Sequence, residues 1–490
     1  MQQATQPDYD AAKLEAIQKA PLIIAVAGHA NHGKTSVIRT LCRMPEFGEV
    51  SDFPGTTKRV SGVPFKIVNR RYMIIFDTPG FQNLTAVIEE CGEPFTIEDI
   101  RCFLKRRKDY SHDFKALEQV LVSHVVLYVI DSACDLRESY QSDFRVLARS
   151  GVPVIPIFNF SRDGDCQSHK AWVDFLKYNG FFLWVNYDAH YYRPEYEYEL
   201  YDKIRILLTN PLHREFFDWY VESRKAKELN MFREAVAEMA RMLLDCAAFR
   251  NDVSGVESSD REGVERKTTD RFMKTIEQRE SEAFQNMVEI YGFKKDLLER
   301  ATNSGDRKTL WQQDLFGKEI QSHVGIGVLA GAATGAAAGF TVDSLLAWHS
   351  LFLGTVIGAV TGAVIGACGA GLYNANWDEN TLHTLSIQCT DKMHRALIDR
   401  AVLLLKDLQH RGMADQQEFV VSDKALRSVK EDVERLLVEL AAVAKNPYLY
   451  LFGVDPEKVS NHTKTERNKH LATIEGLIDS LVSRIEESKD

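Results

Sequence analysis

Gly28-His29-Ala30-Asn31-His32-Gly33-Lys34-Thr35 follows the apolar run Pro21–Ala27 (PLIIAVA) and precedes the helical pattern Ser36-Val37-Ile38-Arg39-Thr40-Leu41. The string fits GxxxxGK[ST], and a buried strand before it with a helix after it is the context that gives such a match meaning. Glycines let successive backbone N–H groups turn toward phosphate oxygens, and the helix N-terminus adds favourable partial charge. On this reading Gly28, Asn31, His32 and Gly33 line the loop, and Lys34 reaches the β- and γ-phosphates. Thr35 ligates Mg2+, and the Ser36 hydroxyl reaches the α-phosphate.

Working outward, Tyr72–Phe76 (YMIIF), Val122–Ile130 (VSHVVLYVI), Val152–Phe158 (VPVIPIF) and Phe181–Val185 (FFLWV) read as further buried strands, with helical patterns between several of them. Strands alternating with helices predict a doubly wound, mostly parallel α/β sheet of the P-loop nucleoside-triphosphate-binding kind, covered on both faces. This domain is expected over residues 21–210, after an N-terminal extension of residues 1–20. Asp77-Thr78-Pro79-Gly80 follows YMIIF. An acid at a strand's end holds Mg2+ through water, and a glycine just beyond offers its N–H to the γ-phosphate. Phe53-Pro54-Gly55-Thr56-Thr57-Lys58 lies between the two motifs, where a first switch segment belongs and where a threonine closes over the Mg2+.

In this order and spacing the motifs resemble those of the TrmE–Era-like GTPases of the translation-factor class. Phe47–Val60 (FGEVSDFPGTTKRV), DTPG and Ile157–Phe160 (IFNF) are further similar to a bacterial group in which a GTPase domain precedes a helical domain of unknown function with a glycine-rich apolar segment. The similarity extends over nearly the whole chain and is looser beyond residue 300. It implies GTP as ligand, Mg2+ as cofactor, and Lys34, Thr57 and Gly80 as the residues acting at the γ-phosphate, with Thr57 rather than Thr56 on the metal. It also implies that a potassium ion beside Asn31 supplies the positive charge that an arginine finger supplies elsewhere. After DTPG stands Phe81 rather than a water-orienting glutamine. The expectation is slow turnover unless a partner, or a homodimer across the switches, orders them.

Guanine recognition normally uses Asn-Lys-x-Asp, and here the chain reads Asn159-Phe160-Ser161-Arg162-Asp163. Asn159 is correctly placed at the end of VPVIPIF, and the Phe160 ring can stack on a base. The missing carboxylate has three alternatives: Asp163, Asp165, or Asp188 in the later loop Asn186-Tyr187-Asp188-Ala189. The resemblance favours GTP; the residues alone leave GTP and ATP open.

The formal net charge of −10 argues against broad nucleic-acid binding, which needs a basic face. Eight cysteines without a CxxC pair exclude the usual zinc and redox motifs. The first twenty residues lack an apolar signal core, so a cytoplasmic protein is expected, associated with or inserted in the inner membrane if it meets one. Residues 81–120 read as an enlarged switch region with the basic run Lys105–Lys108. Residues 211–320 read as a helical domain with a loop at Asn251–Thr269, and residues 376–490 as a C-terminal helical region. Between them, residues 321–375 repeat glycine every fourth position (Gly327 to Gly339, Gly354 to Gly366), with Asp343 the one formal charge across 324–373. A glycine-zipper helical hairpin is expected, because glycine faces let two helices approach closely. Helix-interior glycine costs about 0.8–1.0 kcal/mol against alanine, so a bilayer or tight mutual packing must compensate.

The expected function is a slow, Mg2+-dependent GTP switch, potassium-stimulated, with an inner-membrane or membrane-protein partner. An Era-like ribosome- or RNA-associated GTPase and a GTP-binding scaffold with vestigial hydrolysis are the alternatives.

Overall fold

The structure is a computed structural model that describes residues 11–47, 60–67, 70–82, 84–106, 112–160, 167–256, 261–294, 383–389, 391–415 and 430–487. The glycine-rich hairpin, Thr57 with its switch segment, and Arg162, Asp163 and Asp165 lie outside the described residues.

The described chain divides into two compact units: residues 1–230 with 409–416, and residues 231–408 with 417–490. In the first unit α1 (Ala11–Lys19) leads into β1 (Leu22–Gly28), and α2 (Lys34–Cys42) follows the phosphate loop. Next come β2 (Ser61–Ile67), β3 (Arg70–Asp77), α3 (Thr85–Cys91), α4 (Ile97–Arg106), α5 (His112–Leu121) and β4 (Val125–Asp131). Then follow α6 (Glu138–Arg149), β5 (Val154–Asn159), α7 (Gln167–Tyr178), β6 (Val185–Asn186), α8 (Pro194–Leu207) and α9 (Pro211–Ala248), whose residues from 231 onward belong to the second unit. The strands form one six-stranded sheet, ordered β2-β3-β1-β4-β5-β6. Only β2 is antiparallel, so the sheet is mostly parallel as expected.

Period-two alternation sends the central strands' side chains to both faces. Ile24, Val26, Leu127 and Val129 pack on one side with Val37, Leu41 and Phe217. Ala25, Ala27, Tyr128 and Ile130 pack on the other with Leu117, Phe144 and Trp172. Both faces are therefore buried, which is why these strands read as continuous apolar runs.

Several local expectations change. β2 was not expected, because Ser61-Gly62-Val63-Pro64 has weak strand propensity; as an edge strand hydrogen-bonded to β3 alone it tolerates Pro64. The Phe181–Val185 strand shrinks to Val185–Asn186, and the strand expected from Val122 begins at Val125. Among the described residues of 81–120, three helices bring apolar faces, including Ile100, Phe103 and Leu117, to the sheet core.

Among the described residues the second unit is helical, with one two-stranded antiparallel sheet that the all-α expectation lacks. The expected loop Asn251–Thr269 instead supplies β7 (Arg250–Val256) and the start of α10 (Arg261–Ile290). β7 pairs with β8 (His383–Gln388), which precedes α11 (Asp391–His410). α12 (Lys430–Ala444) packs on α13 (Asn461–Glu487), where Ile474, Ile478, Leu481 and Ile485 are buried at alternating three- and four-residue spacing and Leu471 is half-buried.

His394 on α11 is 1% exposed, and neither ring nitrogen has a hydrogen-bond partner among the described residues. Burial holds its pKa down at about 4. The folded chain therefore resists a proton that the unfolded chain accepts below about pH 6.5. Its contribution to stability is full above that pH and is lost as pH falls toward 4, with a slope of up to about 1.4 kcal/mol per pH unit. His394→Leu is expected to flatten the fall in urea midpoint between pH 6.5 and 4. An unchanged slope would assign the acid sensitivity elsewhere.

Candidate nucleotide site

The loop leaves β1 at Gly28, whose φ of 136° and contact with the Val129 carbonyl leave no room for a Cβ. Asn31 (φ 64°) is exposed at the loop's rim, and Gly33 (φ 81°) sits at the N-cap of α2. Lys34, Thr35 and Ser36 follow in the first turn of α2 and are 4–7% exposed. Lys34 Nζ folds back to donate to the His29 carbonyl at 2.7 Å. Burial brings its pKa down to about 8, against the pull of Asp77 and Asp143.

β3 delivers Asp77 beside this turn. Thr35 Oγ1 donates to Asp77 Oδ2 at 2.6 Å, while Asp77 Oδ1 is buried without a hydrogen-bond partner among the described residues. Burial pushes this carboxyl above its ordinary range, with the Thr35 hydroxyl and Lys34 opposing. An orphaned carboxylate oxygen next to a threonine hydroxyl and a lysine fits a Mg2+ ion accompanying a phosphate.

The DTPG loop lies directly on the phosphate loop. A Cβ on Gly80 would sit 2.5 Å from the Ala30 nitrogen, and Phe81 N–H donates to the Gly28 carbonyl at 3.0 Å. Phe81 itself is fully buried, its ring stacked on Tyr128 with centroids 6.4 Å apart. Its side chain is core and is not available to orient a water molecule. Gln82 N–H donates to Asp113 Oδ1 at 2.6 Å, which holds the segment after Phe81 on α5.

The two loop histidines face inward. His32 Nδ1 lies 3.2 Å from the Val129 carbonyl and Nε2 lies 3.4 Å from the Tyr140 hydroxyl. His29 Nε2 lies 3.5 Å from Asp143 Oδ2. Burial lowers His32 to about 4 and His29 to about 3, so both are neutral near pH 7. His32, read from the sequence as lining the loop, thus contributes its backbone there, while its ring supports the loop from beneath. Asp143, fully buried and accepting from the Tyr128 hydroxyl at 2.7 Å, has no sequence signal beyond its helix position.

On the base side, Asn159 Nδ2 donates to the His32 carbonyl at 3.0 Å, and its Oδ1 accepts from Ala189 N–H at 3.0 Å. Asn159 therefore ties the phosphate loop to the loop after β6. Phe160 (φ 61°) lays its ring against Gly33, where a Cβ would come within 2.8 Å of its Cζ, and lies 5.2 Å from the His190 ring. Phe160 occupies the place over the loop that the sequence reading gives to a lysine. Asp188 is 6% exposed, and its Oδ1 accepts from the amides of His190 (2.9 Å) and Tyr191 (3.2 Å). That oxygen closes its own turn, as aspartates in loops commonly do.

Strand, loop and helix, with an acid at the end of the neighbouring strand, define a P-loop nucleotide-binding domain of the GTPase type. The chain belongs to the family described as a domain of unknown function (DUF3482), which matches residues 175–470. Residues 23–160 match the family described as 50S ribosome-binding GTPase. A probable GTP-binding protein EngB of Ehrlichia canis is 34% identical over 58 residues, which is 12% of this chain and 28% of that protein. The chain thus spans well under half the length of the curated relatives it matches. Among solved structures, Aquifex aeolicus Era bound to GDP and aluminium fluoride is 18% identical, covering 55% of this chain and 89% of that one at a TM-score of 0.28. Era in complex with MgGDPNP and part of 16S ribosomal RNA is 20% identical, covering 34% and 50%, at a TM-score of 0.25.

Proposed function

We propose that this chain binds GTP with Mg2+, hydrolyses it slowly, and uses the nucleotide state as a conformational switch. The observation that carries the reading is the Thr35–Asp77 pair with its orphaned oxygen, set against the buried Lys34 at the start of α2. Thr35 would hold Mg2+ directly, Asp77 through water, and Thr57 would close the sphere from the switch segment. The ion, when bound, neutralises charge on the β- and γ-phosphates. Lys34 exchanges the His29 carbonyl for phosphate oxygens. Gly80, lying on the phosphate loop, offers its N–H to the γ-phosphate. With Phe81 in the core, no side chain at that position orients water, which supports slow intrinsic turnover. Asn31, exposed at the rim, would share a potassium ion with the phosphates.

Guanine preference rests on Asn159 and the Phe160 ring. The test measures GTP and ATP dissociation constants side by side, then phosphate release in potassium and sodium buffers. GTP is expected to bind at least about tenfold tighter, a difference of ~1.4 kcal/mol, with faster release in potassium. Equal affinities overturn the guanine assignment, and equal turnover in the two buffers overturns the potassium ion.

For the helical region we favour an inner-membrane partner, with residues 324–373 as the inserting hairpin; among the described residues no helix is long and apolar enough to cross a membrane. The match of residues 23–160 to a 50S ribosome-binding family favours a second reading, a ribosome-associated GTPase. The acidic net charge does not decide against it, because a ribosome contact needs only a local basic patch. Stimulation of hydrolysis by vesicles of inner-membrane lipid supports the first reading, and stimulation by 50S subunits the second.

A further inference from the structure

Residues 409–415 follow the sheet by more than two hundred positions, yet they belong to the nucleotide-binding unit. They run antiparallel to the loop after β6, with a bridge between Tyr191 and Arg411. Tyr192 N–H donates to the His410 carbonyl at 2.7 Å, and Gly412 N–H donates to the His190 carbonyl at 2.9 Å. The Tyr191 and His410 rings stack with centroids 5.7 Å apart and planes 14° from parallel. Gly412 approaches so closely that an added Cβ would overlap the Ala189 carbonyl oxygen and lie 2.9 Å from the His190 carbonyl carbon. Only glycine permits that approach.

The loop held in this way is the one that Asn159 grips from the other side. Ala189 N–H donates to Asn159 Oδ1 at 3.0 Å, and the Ala189 carbonyl accepts from Thr40 Oγ1 on α2 at 2.7 Å. Ala189 is thus clamped between the base-side asparagine, the phosphate-loop helix and Gly412. The phosphate end has its own bonds, Lys34 to His29 and Thr35 to Asp77, and none of these involves the 409–415 segment. Without the segment the His190 carbonyl and the Tyr192 amide lose their partners and Ala189 loses its backing.

We propose that residues 409–415 are a strap that completes the nucleotide site: they position the base loop and so set the affinity and selectivity for the base, while leaving the phosphate loop intact. The inference rests on the nucleotide-binding reading above. It makes Gly412 and His410 positioning residues, acting on the ligand through Ala189 and Asn159.

The test uses the full-length chain, with fluorescent mant-GDP and mant-ADP as probes and thermal melts as the fold control. Gly412→Ala is expected to weaken mant-GDP about tenfold and to narrow the preference for mant-GDP over mant-ADP. His410→Ala, which removes the ring stacked on Tyr191 and keeps the backbone bonds, should move both quantities the same way by a smaller factor. Variants that bind mant-GDP as the wild type does, or that lose both nucleotides in equal proportion, overturn the strap. If Gly412→Ala fails to give a cooperative melt, His410→Ala decides alone by the same criteria. Wild-type protein that binds neither probe sinks the nucleotide reading and the strap together. Wild-type binding with unchanged variants sinks only the strap.

Discussion

Lys34→Ala is expected to weaken GTP binding by about a hundredfold or more and to reduce phosphate release to background, the usual scale for losing one preorganised charged donor. The ammonium is 6% exposed at the first turn of α2, with Nζ held 2.7 Å from the His29 carbonyl. That hydrogen bond aims it across the loop, so contact with phosphate needs only an exchange of acceptors. Its lowered pKa of about 8 shows that burial disfavours the charge in the free protein. A phosphate would compensate that buried charge. Deleting a poorly compensated buried charge costs the free protein little, so the variant should melt at or above the wild-type temperature. Titration with mant-GTP and a phosphate-release assay check the effect. Binding within about threefold of wild type, or ~0.7 kcal/mol, would remove Lys34 from the site.

The largest stability effect is expected in the second unit. Asp245 on α9 is 3% exposed; its Oδ2 lies 2.9 Å from Arg279 Nε on α10, and its Oδ1 lies 2.8 Å from Arg467 Nη1 on α13. One carboxylate therefore compensates two nearly buried guanidiniums on different helices. Asp245→Asn keeps the shape and removes the charge. Breaking a buried ionic cluster on one side costs about 3–5 kcal/mol, because the remaining charges stay buried and uncompensated. The lower end is expected, since Arg279 keeps Glu238 Oε1 at 3.0 Å. Urea unfolding measures it; a loss under about 1 kcal/mol, the range of exposed pairs, would mean that solvent already screens the cluster. Nucleotide affinity should hold, because none of the phosphate-loop or base-loop bonds involves Asp245.

The two predictions draw on differently legible parts of the chain. Lys34 could be named from the sequence because strand, glycine turn and helix are contiguous over Leu22–Cys42, and each residue type there answers a local need. Asp77 and Gly80 were equally readable, being the end of an apolar run followed by a turn. Asp245 could not be singled out: it is one carboxylate in a charged helix, and its arginines come from positions far along the chain. Asn251–Val256, inside the expected loop Asn251–Thr269, reads as a loop because the stretch is polar; it is a strand only because β8 is there to pair with it. Phe81 read as an absent glutamine, and only packing reveals that its ring is core. Asp188 read as a spare carboxylate for the base, and the fold gives one of its oxygens to the turn of His190 and Tyr191.

The sequence by itself determined the phosphate half of the proposed site: a loop whose φ angles demand Gly28 and Gly33, a helix start at Lys34 and Thr35, and an acid at the end of the adjoining strand. Those contacts are local or tied to residue type, so they leave a signature. The tertiary structure decided the base half. There the Asn159 and Thr40 side chains bond the backbone of Ala189, and residues 409–415 bond the backbone of His190 and Tyr192. Any residue offers a backbone carbonyl, so such pairing writes almost nothing into the chain beyond a single Gly412, which only the folded neighbour explains.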